Sequence, residues 1–190
     1  TDDGFEFEKI AALRPDLIIG VNAGMKKADY DKLRKIAPTI GPGQNSPDYF
    51  SNWKEQTTLV AAAVGRMIDG EALFFDTMKR FEQAAKAHPD FAGKTVSFAQ
   101  NAFYSGLLYA YPEDLNTEFL TMLGFKINPK LTPLVKKQGE QVGISEEKLD
   151  VLDADAIVFA TEKPEDITNL LKVPTFAKLD AVAKNRAVYT

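Results

Sequence analysis

The segment Glu8–Ile19, EKIAALRPDLII, is written again in the second half of the chain as Glu147–Val158, EKLDVLDADAIV, with five of twelve positions identical and most others exchanging one apolar residue for another. A second echo follows each copy. Lys32–Ile40, KLRKIAPTI, returns within Lys178–Thr190, KLDAVAKNRAVYT, where Leu33, Ile36 and Ala37 match Leu179, Val182 and Ala183. Solenoid repeats recur every 20 to 50 residues or so, and this spacing is far longer. The duplication therefore predicts two similar α/β lobes, each read as helix, strand, loop, helix, strand.

The physics of the repeated unit agrees. Ile10 and Leu13 share one face of a short helix, Pro15 stops it, and Leu17, Ile18 and Ile19 form an apolar run ended by Gly20. A continuous run of this kind suits a parallel strand covered on both faces. Leu149 and Leu152, then Ile157, Val158 and Phe159, repeat the pattern. Asp16 and Asp155 stand at the strand entrances, where a carboxylate bonds to nearby backbone N–H groups.

Between the echoes the pattern is helical from Asp48. After Gly65 and Gly70 a second helix is predicted over Glu71–His88, with Leu73, Phe74, Met78, Phe81 and Ala85 at helical spacing. Eighteen residues at 1.5 Å each span about 27 Å, enough for a rigid strut. The domain reading is thus residues 1–70, a connecting helix over 71–93, and a second lobe over 94–190. That lobe opens with the strand KTVSFAQ (Lys94–Gln100), then an aromatic and amide-rich loop from Gln100 to Tyr111. A helix capped by Asp114 and stopped by Gly124 comes next, then a surface connection over 126–143, with Ser145 capping the second echo.

Ligands of open α/β sheets bind beyond the carboxyl ends of the strands. This points to Val21–Lys27 and Pro42–Asn45 in the first lobe, and to Gln100–Tyr109 and Thr161–Lys163 in the second. Composition narrows the chemistry. The net charge of −4 with no basic stripe argues against nucleic acid, and the absence of cysteine excludes disulfides and thiol catalysis. The one histidine, His88, sits beside Pro89, so a bare-metal site with converging ligands is not expected. No G-x-G-x-x-G, P-loop or G-x-S-x-G elbow occurs, which argues against an enzyme.

LRPDLIIG (Leu13–Gly20), KIAPTI (Lys35–Ile40), Trp53 ahead of a helix ending in Gly65-Arg66, ISEEKLDVLDADAIV and the tail FAKLDAVAKNRAVYT together resemble the substrate-binding proteins of bacterial iron-siderophore ABC importers, a family that also binds haem and cobalamin. The resemblance implies the class III periplasmic binding protein fold, two Rossmann-like α/β lobes joined by a long rigid helix. It implies an extracytoplasmic receptor, periplasmic or lipid-anchored, that holds one ferric siderophore as ligand and hands it to an ABC permease. Such proteins carry further strands before the PDLII unit and a final helix after the closing strand. The first lobe is therefore expected to be incomplete, with an exposed sheet edge that invites dimerisation.

The expected ligand lining is Asn22, Met25, Lys26, Gln44, Trp53, Gln100, Asn101, Phe103, Tyr104, Tyr109, Thr161 and Lys163: aromatic faces to hold a bulky chelate and a few polar groups to orient it. Core packing is the alternative for each aromatic, and Trp53 has the further option of bracing its helix. With Lys26, Lys27 and Lys163 as the loop cations, a hydroxamate-type or mixed siderophore of modest charge is expected. Glu118, Glu140, Glu146 and Glu147 are the candidate permease-facing carboxylates. A sensor domain of the same fold shares all these features.

Overall fold

The fold is that of a computed structural model, which describes residues 4–43, 52–104, 106–136 and 140–190, without the side chains of Asn101, Ala102 and Tyr104. The chain divides into two compact units, Thr1–Lys79 and Arg80–Thr190.

In the first unit, α1 (Phe7–Ala12) leads into β1 (Ile18–Ile19), and α2 (Lys27–Leu33) crosses over to β2 (Thr39–Ile40). The two strands pair in parallel, Ile18 opposite Thr39 and Ile19 opposite Ile40. This is the β-helix-β crossover that the first echo predicts, and Leu33 and Ala37 of its return path are buried. The next elements are α3 (Trp53–Ala63) and α4 (Met67–Ala87), within which the boundary between the units falls.

The expected helix break at Gly70 is corrected. Gly70 is buried inside α4, and a Cβ there would lie 2.4 Å from the Ala61 Cβ of α3. Glycine serves the close approach of two helices here rather than ending one. The predicted start of the preceding helix at Asp48 lies outside the described residues.

The second unit is built on a six-stranded sheet, in the order β6-β4-β3-β7-β8, with β5 on the same side of β3 as β4. The central β3 (Thr95–Tyr104) pairs antiparallel with β4 (Leu107–Tyr111), and α5 (Glu118–Met122) precedes β5 (Lys126–Ile127), which lies parallel to the first residues of β3. After β6 (Val142–Ser145) and a 3-10 helix at Glu146–Leu152 come β7 (Ala156–Ala160), α6 (Pro164–Leu171), α7 (Pro174–Ala177), α8 (Asp180–Ala183) and β8 (Ala187–Tyr189). β7 is parallel to both β3 and β8. One sheet face packs Leu108, Ile144, Leu149, Leu152, Ile157, Phe159, Leu170 and Phe176 into the main core; the other packs Val96, Leu120 and Ile127 with Phe98 and Phe119.

Four further expectations change. The aromatic loop after Gln100 is a hairpin, because alternating residues let β3 continue to Tyr104, with a bulge between Gln100 and Tyr104. Asp114 does not cap α5; its Oδ1 accepts from Asn116 N–H, while buried Thr117 occupies the cap position and its hydroxyl accepts from Asp114 N–H. The surface connection contains β5, buried Leu131 and buried Asn128. Asn128 Nδ2 donates to Ser97 Oγ at 2.8 Å and to the Val151 carbonyl at 2.9 Å, and Ser97 Oγ donates to the Leu152 carbonyl. Ser145 precedes its 3-10 helix without a side-chain capping bond.

Asp155 does more than order a local turn. Its Oδ2 accepts from both the N–H and the hydroxyl of Thr95, each at 2.8 Å, and its own N–H donates to Thr95 Oγ1, so one carboxylate fixes where β3 starts against β7. These bonds hold the Asp155 carboxyl below its ordinary value, helped by Arg186 and Lys94. A lowered folded-state pKa stabilises the fold above the unfolded carboxylate range and is lost as pH falls through the folded value. Asp155→Asn is therefore expected to lower stability most at neutral pH, where the carboxylate is fully ionised, and least in acid, so that the two stability curves converge below about pH 4. Urea unfolding of both proteins across this pH range checks it, and a constant offset between the curves at every pH would refute it.

Candidate functional site

The carboxyl end of β1 runs into Gly20, and that of β2 into Gly41. Met25 crowds the first of these: a Cβ on Gly20 would lie 2.3 Å from Met25 Cε, whereas one on Gly41 would meet the Tyr30 ring at 3.4 Å and the Met25 sulfur at 3.7 Å, ordinary contact distances. Met25 is 4% exposed, so the structure moves it from the expected lining into the core, where an unbranched thioether fills the gap under two strand ends. Asn22 and Lys26 in the same loop are exposed. Lys26 is the N-cap of α2, and its N–H donates to Asp29 Oδ2 at 3.3 Å. Lys27 pairs with Asp31 at 2.6 Å. Gln44 lies outside the described residues.

Trp53 opens α3 behind the N-cap Asn52 and lies over Phe74 of α4, with ring centroids 4.8 Å apart, while Lys54 Nζ covers the same phenyl ring. Half-buried Trp53 thus braces α3 against α4, the alternative that sequence reading keeps open for it.

In the second unit, Gln100, Tyr109 and Thr161 gather at the same end of the sheet. Gln100 is in register with Tyr109 on one side and with Ala160 on the other. Thr161 is fixed by two bonds, its N–H and hydroxyl both donating to the Thr190 carbonyl at 2.8 and 2.9 Å. Lys163 is the N-cap of α6, and the N–H groups of Glu162 and Lys163 both donate to Asp166 Oδ2 at 3.1 Å. Phe103 takes φ +59, uncommon for an aromatic residue, and packs against the main core. The side chains of Asn101 and Tyr104 lie outside the described set.

Tyr109 lines an open cleft of about 730 Å³ with Leu107, Leu134, Lys136, Glu140 and Lys148. Gly143 stands opposite it, since a Cβ there would press to 3.2 Å on Leu107 and 3.7 Å on Tyr109. On the neighbouring pair, Gln141 Nε2 donates to Tyr111 Oη at 2.6 Å. Burial pushes the Tyr111 phenol above its ordinary value, and nearby Asp114 adds to the effect.

Sequence reading missed one shared device. Lys26-Lys27-Ala28-Asp29 and Lys163-Pro164-Glu165-Asp166 form a third echo, in which an N-cap lysine is held by an aspartate three residues on. Both helix starts are thereby fixed by backbone N–H bonds to the aspartate, and neither lysine forms an ion pair among the described residues. His88 stacks on Phe91 at 4.8 Å. Among the described residues, no cluster of three or more His, Cys, Asp or Glu side chains could hold a metal ion, and no helix is long and apolar enough to cross a membrane.

The family profile described as periplasmic binding protein matches residues 1–190, the whole chain. This chain belongs to the periplasmic binding protein family. The probable siderophore-binding lipoprotein YfiY of Bacillus subtilis (strain 168) is 34% identical over 162 residues, covering 84% of this chain and 48% of that protein. A periplasmic solute binding protein from Mycobacterium smegmatis superposes with a TM-score of 0.83 at 34% identity, over 100% of this chain and 63% of that one. PiaA of Streptococcus pneumoniae TIGR4, solved in complex with ferrichrome, superposes with a TM-score of 0.75 at 27% identity, over 98% of this chain and 63% of that one. This periplasmic binding protein thus spans about half the length of the curated relative and under two thirds of the solved structures. Its α/β class is that of the sequence reading, and the relatives are named as binding proteins rather than catalysts.

Proposed function

We propose that this periplasmic binding protein captures a ferric siderophore outside the cytoplasmic membrane, in the periplasm or from a lipid anchor, and delivers it to an ABC permease. The observation that carries the reading is a match over nearly the whole chain to relatives that include a probable siderophore-binding lipoprotein and a ferrichrome complex. The work is recognition: the chelator keeps the iron, and the protein supplies surfaces. Residues 1–70 and 94–190 act as the ligand-contacting lobes, with 71–93 as the helix between them in sequence. The contacts come from the strand-end loops, with Asn22 and Lys26 in one unit and Gln100, Phe103, Tyr109, Thr161 and Lys163 in the other. Asn101 and Tyr104 belong with the second group.

Ligand charge follows from the cations at those ends. Lys27 is matched by Asp31, which leaves Lys26 and Lys163 as the loop cations, while Lys136 and Lys148 share the Tyr109 cleft with Glu140 and Asp150; this modest net charge suits a hydroxamate-type or mixed chelate better than a highly anionic catecholate. Titrating the intrinsic tryptophan and tyrosine fluorescence with ferric siderophores, haem, cobalamin and the iron-free chelators tests this. The expected result is saturable quenching by a ferric hydroxamate at micromolar concentration, weakened several-fold in Lys163→Ala. Quenching by haem or cobalamin alone, or a preference for a catecholate, would overturn it.

A further inference from the structure

One row of the second unit's sheet crosses four strands. Gly143 on β6 is in register with Tyr109 on β4, Tyr109 with Gln100 on β3, and Gln100 with Ala160 on β7. Residues opposite one another share a face. This row lies on the face away from the main core, because the alternate residues Leu108, Ala99 and Phe159 point into that core. One step further along the same face Phe98 stacks on Tyr111 and packs against the smaller core.

Gly143 is the exception in this row. A glycine inside a strand weakens it, and it marks a bulge, a tight bend or the close approach of another group. The register of Leu107–Ala110 against Val142–Ser145 is unbroken, and the φ of Gly143 lies outside the left-handed region, so neither a bulge nor a turn calls for glycine. A side chain here would instead disturb the surface above the strand. A Cβ would sit 3.2 Å from Leu107 Cδ1 and 3.7 Å from Tyr109 Cε1, with no other atom within 4 Å among the described residues. Leu107 and Tyr109 therefore lean across β6, and with exposed Gly143 they form one apolar floor spanning two strands in the cleft of about 730 Å³. Lys136 and Lys148 line the same cleft with Glu140 and Asp150, so the charges around the floor balance.

We infer that Gly143 is a specificity-determining residue: it leaves β6 bare so that the broad uncharged face of a bulky chelate lies on Leu107 and Tyr109, against the strand backbone. This rests on the siderophore reading and adds to it a position outside the strand-end loops. With the surrounding charges balanced, what Gly143 selects is bulk.

Gly143→Val and Gly143→Ala test this by fluorescence titration with a ferric trihydroxamate, beside urea unfolding. Valine suits an exposed strand position, so the unfolding midpoint is expected to hold or rise while affinity for the chelate falls about tenfold or more. Alanine, whose Cβ displaces only the flexible tip of Leu107, gives a smaller loss, and it decides the matter should valine prevent folding. Adding Tyr109→Ala to Gly143→Val costs little beyond either change alone, because both alter one floor. Unchanged affinity in the Gly143 variants, with quenching intact in the unsubstituted chain, would overturn the inference and leave the siderophore reading standing. Affinity that falls only in step with the unfolding midpoint would also overturn it, by making Gly143 a packing residue. Absence of saturable quenching in the unsubstituted chain would remove the siderophore reading and this inference together.

Discussion

Phe159→Ala is expected to destabilise the second unit by about 3–5 kcal/mol, the range for deleting a large aromatic from a core that cannot fully collapse. Phe159 is 0% exposed, sits on β7 opposite Ala99 on one side and Tyr189 on the other, and meets the Phe176 ring edge-on at 5.9 Å and 85°. Neither neighbour can refill the space: Ala99 is short, and Phe176 is held on α7 by its own burial. Against a typical domain stability of about 5–15 kcal/mol, the loss is large. With a slope of about 2 kcal/mol per molar urea it moves the unfolding midpoint down by roughly 2 M at unchanged slope. Circular dichroism in urea checks it, and a loss below about 1 kcal/mol would show that the site relaxes freely.

Asn128→Ala ranks next, at about 2–4 kcal/mol, for a different reason. Asn128 is 3% exposed and ties three segments together: its amide donates to Ser97 on β3 and to the Val151 carbonyl, and its Oδ1 accepts from Lys130 N–H. Removing the side chain strands partners that water reaches poorly, and each unsatisfied buried group costs about 1–3 kcal/mol. Ser97→Ala should cost less, because Asn128 keeps its bond to Val151. The double variant should fall short of the sum, since the two side chains share one bond. Urea unfolding of the three variants decides, and strict additivity would mean that the network does not act as a unit.

How much of this could be read in the sequence depended on whether the signal was local. The duplicated phrase located β1, β7 and the parallel partners β2 and β8, because each rests on a contiguous apolar run followed by a glycine or a short helix. The hairpin was hidden for the opposite reason. The aromatic and amide groups at 100–111 suit either a loop or an alternating strand, and pairing with β4 and β7 decides between them. Gly70 looked like punctuation because a helix-breaking propensity of about 1 kcal/mol is visible in sequence and the Ala61 contact is not. Asp155 was read as a turn residue because its partner, Thr95, lies 60 positions away.

The candidate site divided along the same line. Lys26 and Lys163 are legible in sequence as loop cations, but the aspartates that bond to their backbone N–H groups carry no signal until the helix starts are known. Met25 was misplaced because a methionine after a strand serves equally as lining or filler, and only the contact with Gly20 tells which. Trp53 was left open in sequence for the same reason, and Phe74 closes the question of what its ring rests on.

The bond from Thr161 to the Thr190 carbonyl bears on how the protein is made. β3, the middle strand, is synthesised early, yet its partner β7 comes some 60 residues later and β8 later still. A ribosome that has just completed Lys163 has therefore produced a loop whose anchor does not yet exist. Until Ala187–Thr190 emerge and lie down beside β7, Thr161 has no carbonyl to grip and the outer edge of β7 stays open. Sheets closed by such distant pairings form slowly, and an edge left bare during that delay is open to pairing with the wrong chain. The nascent chain is most in need of protection until Ala187–Thr190 have left the ribosome.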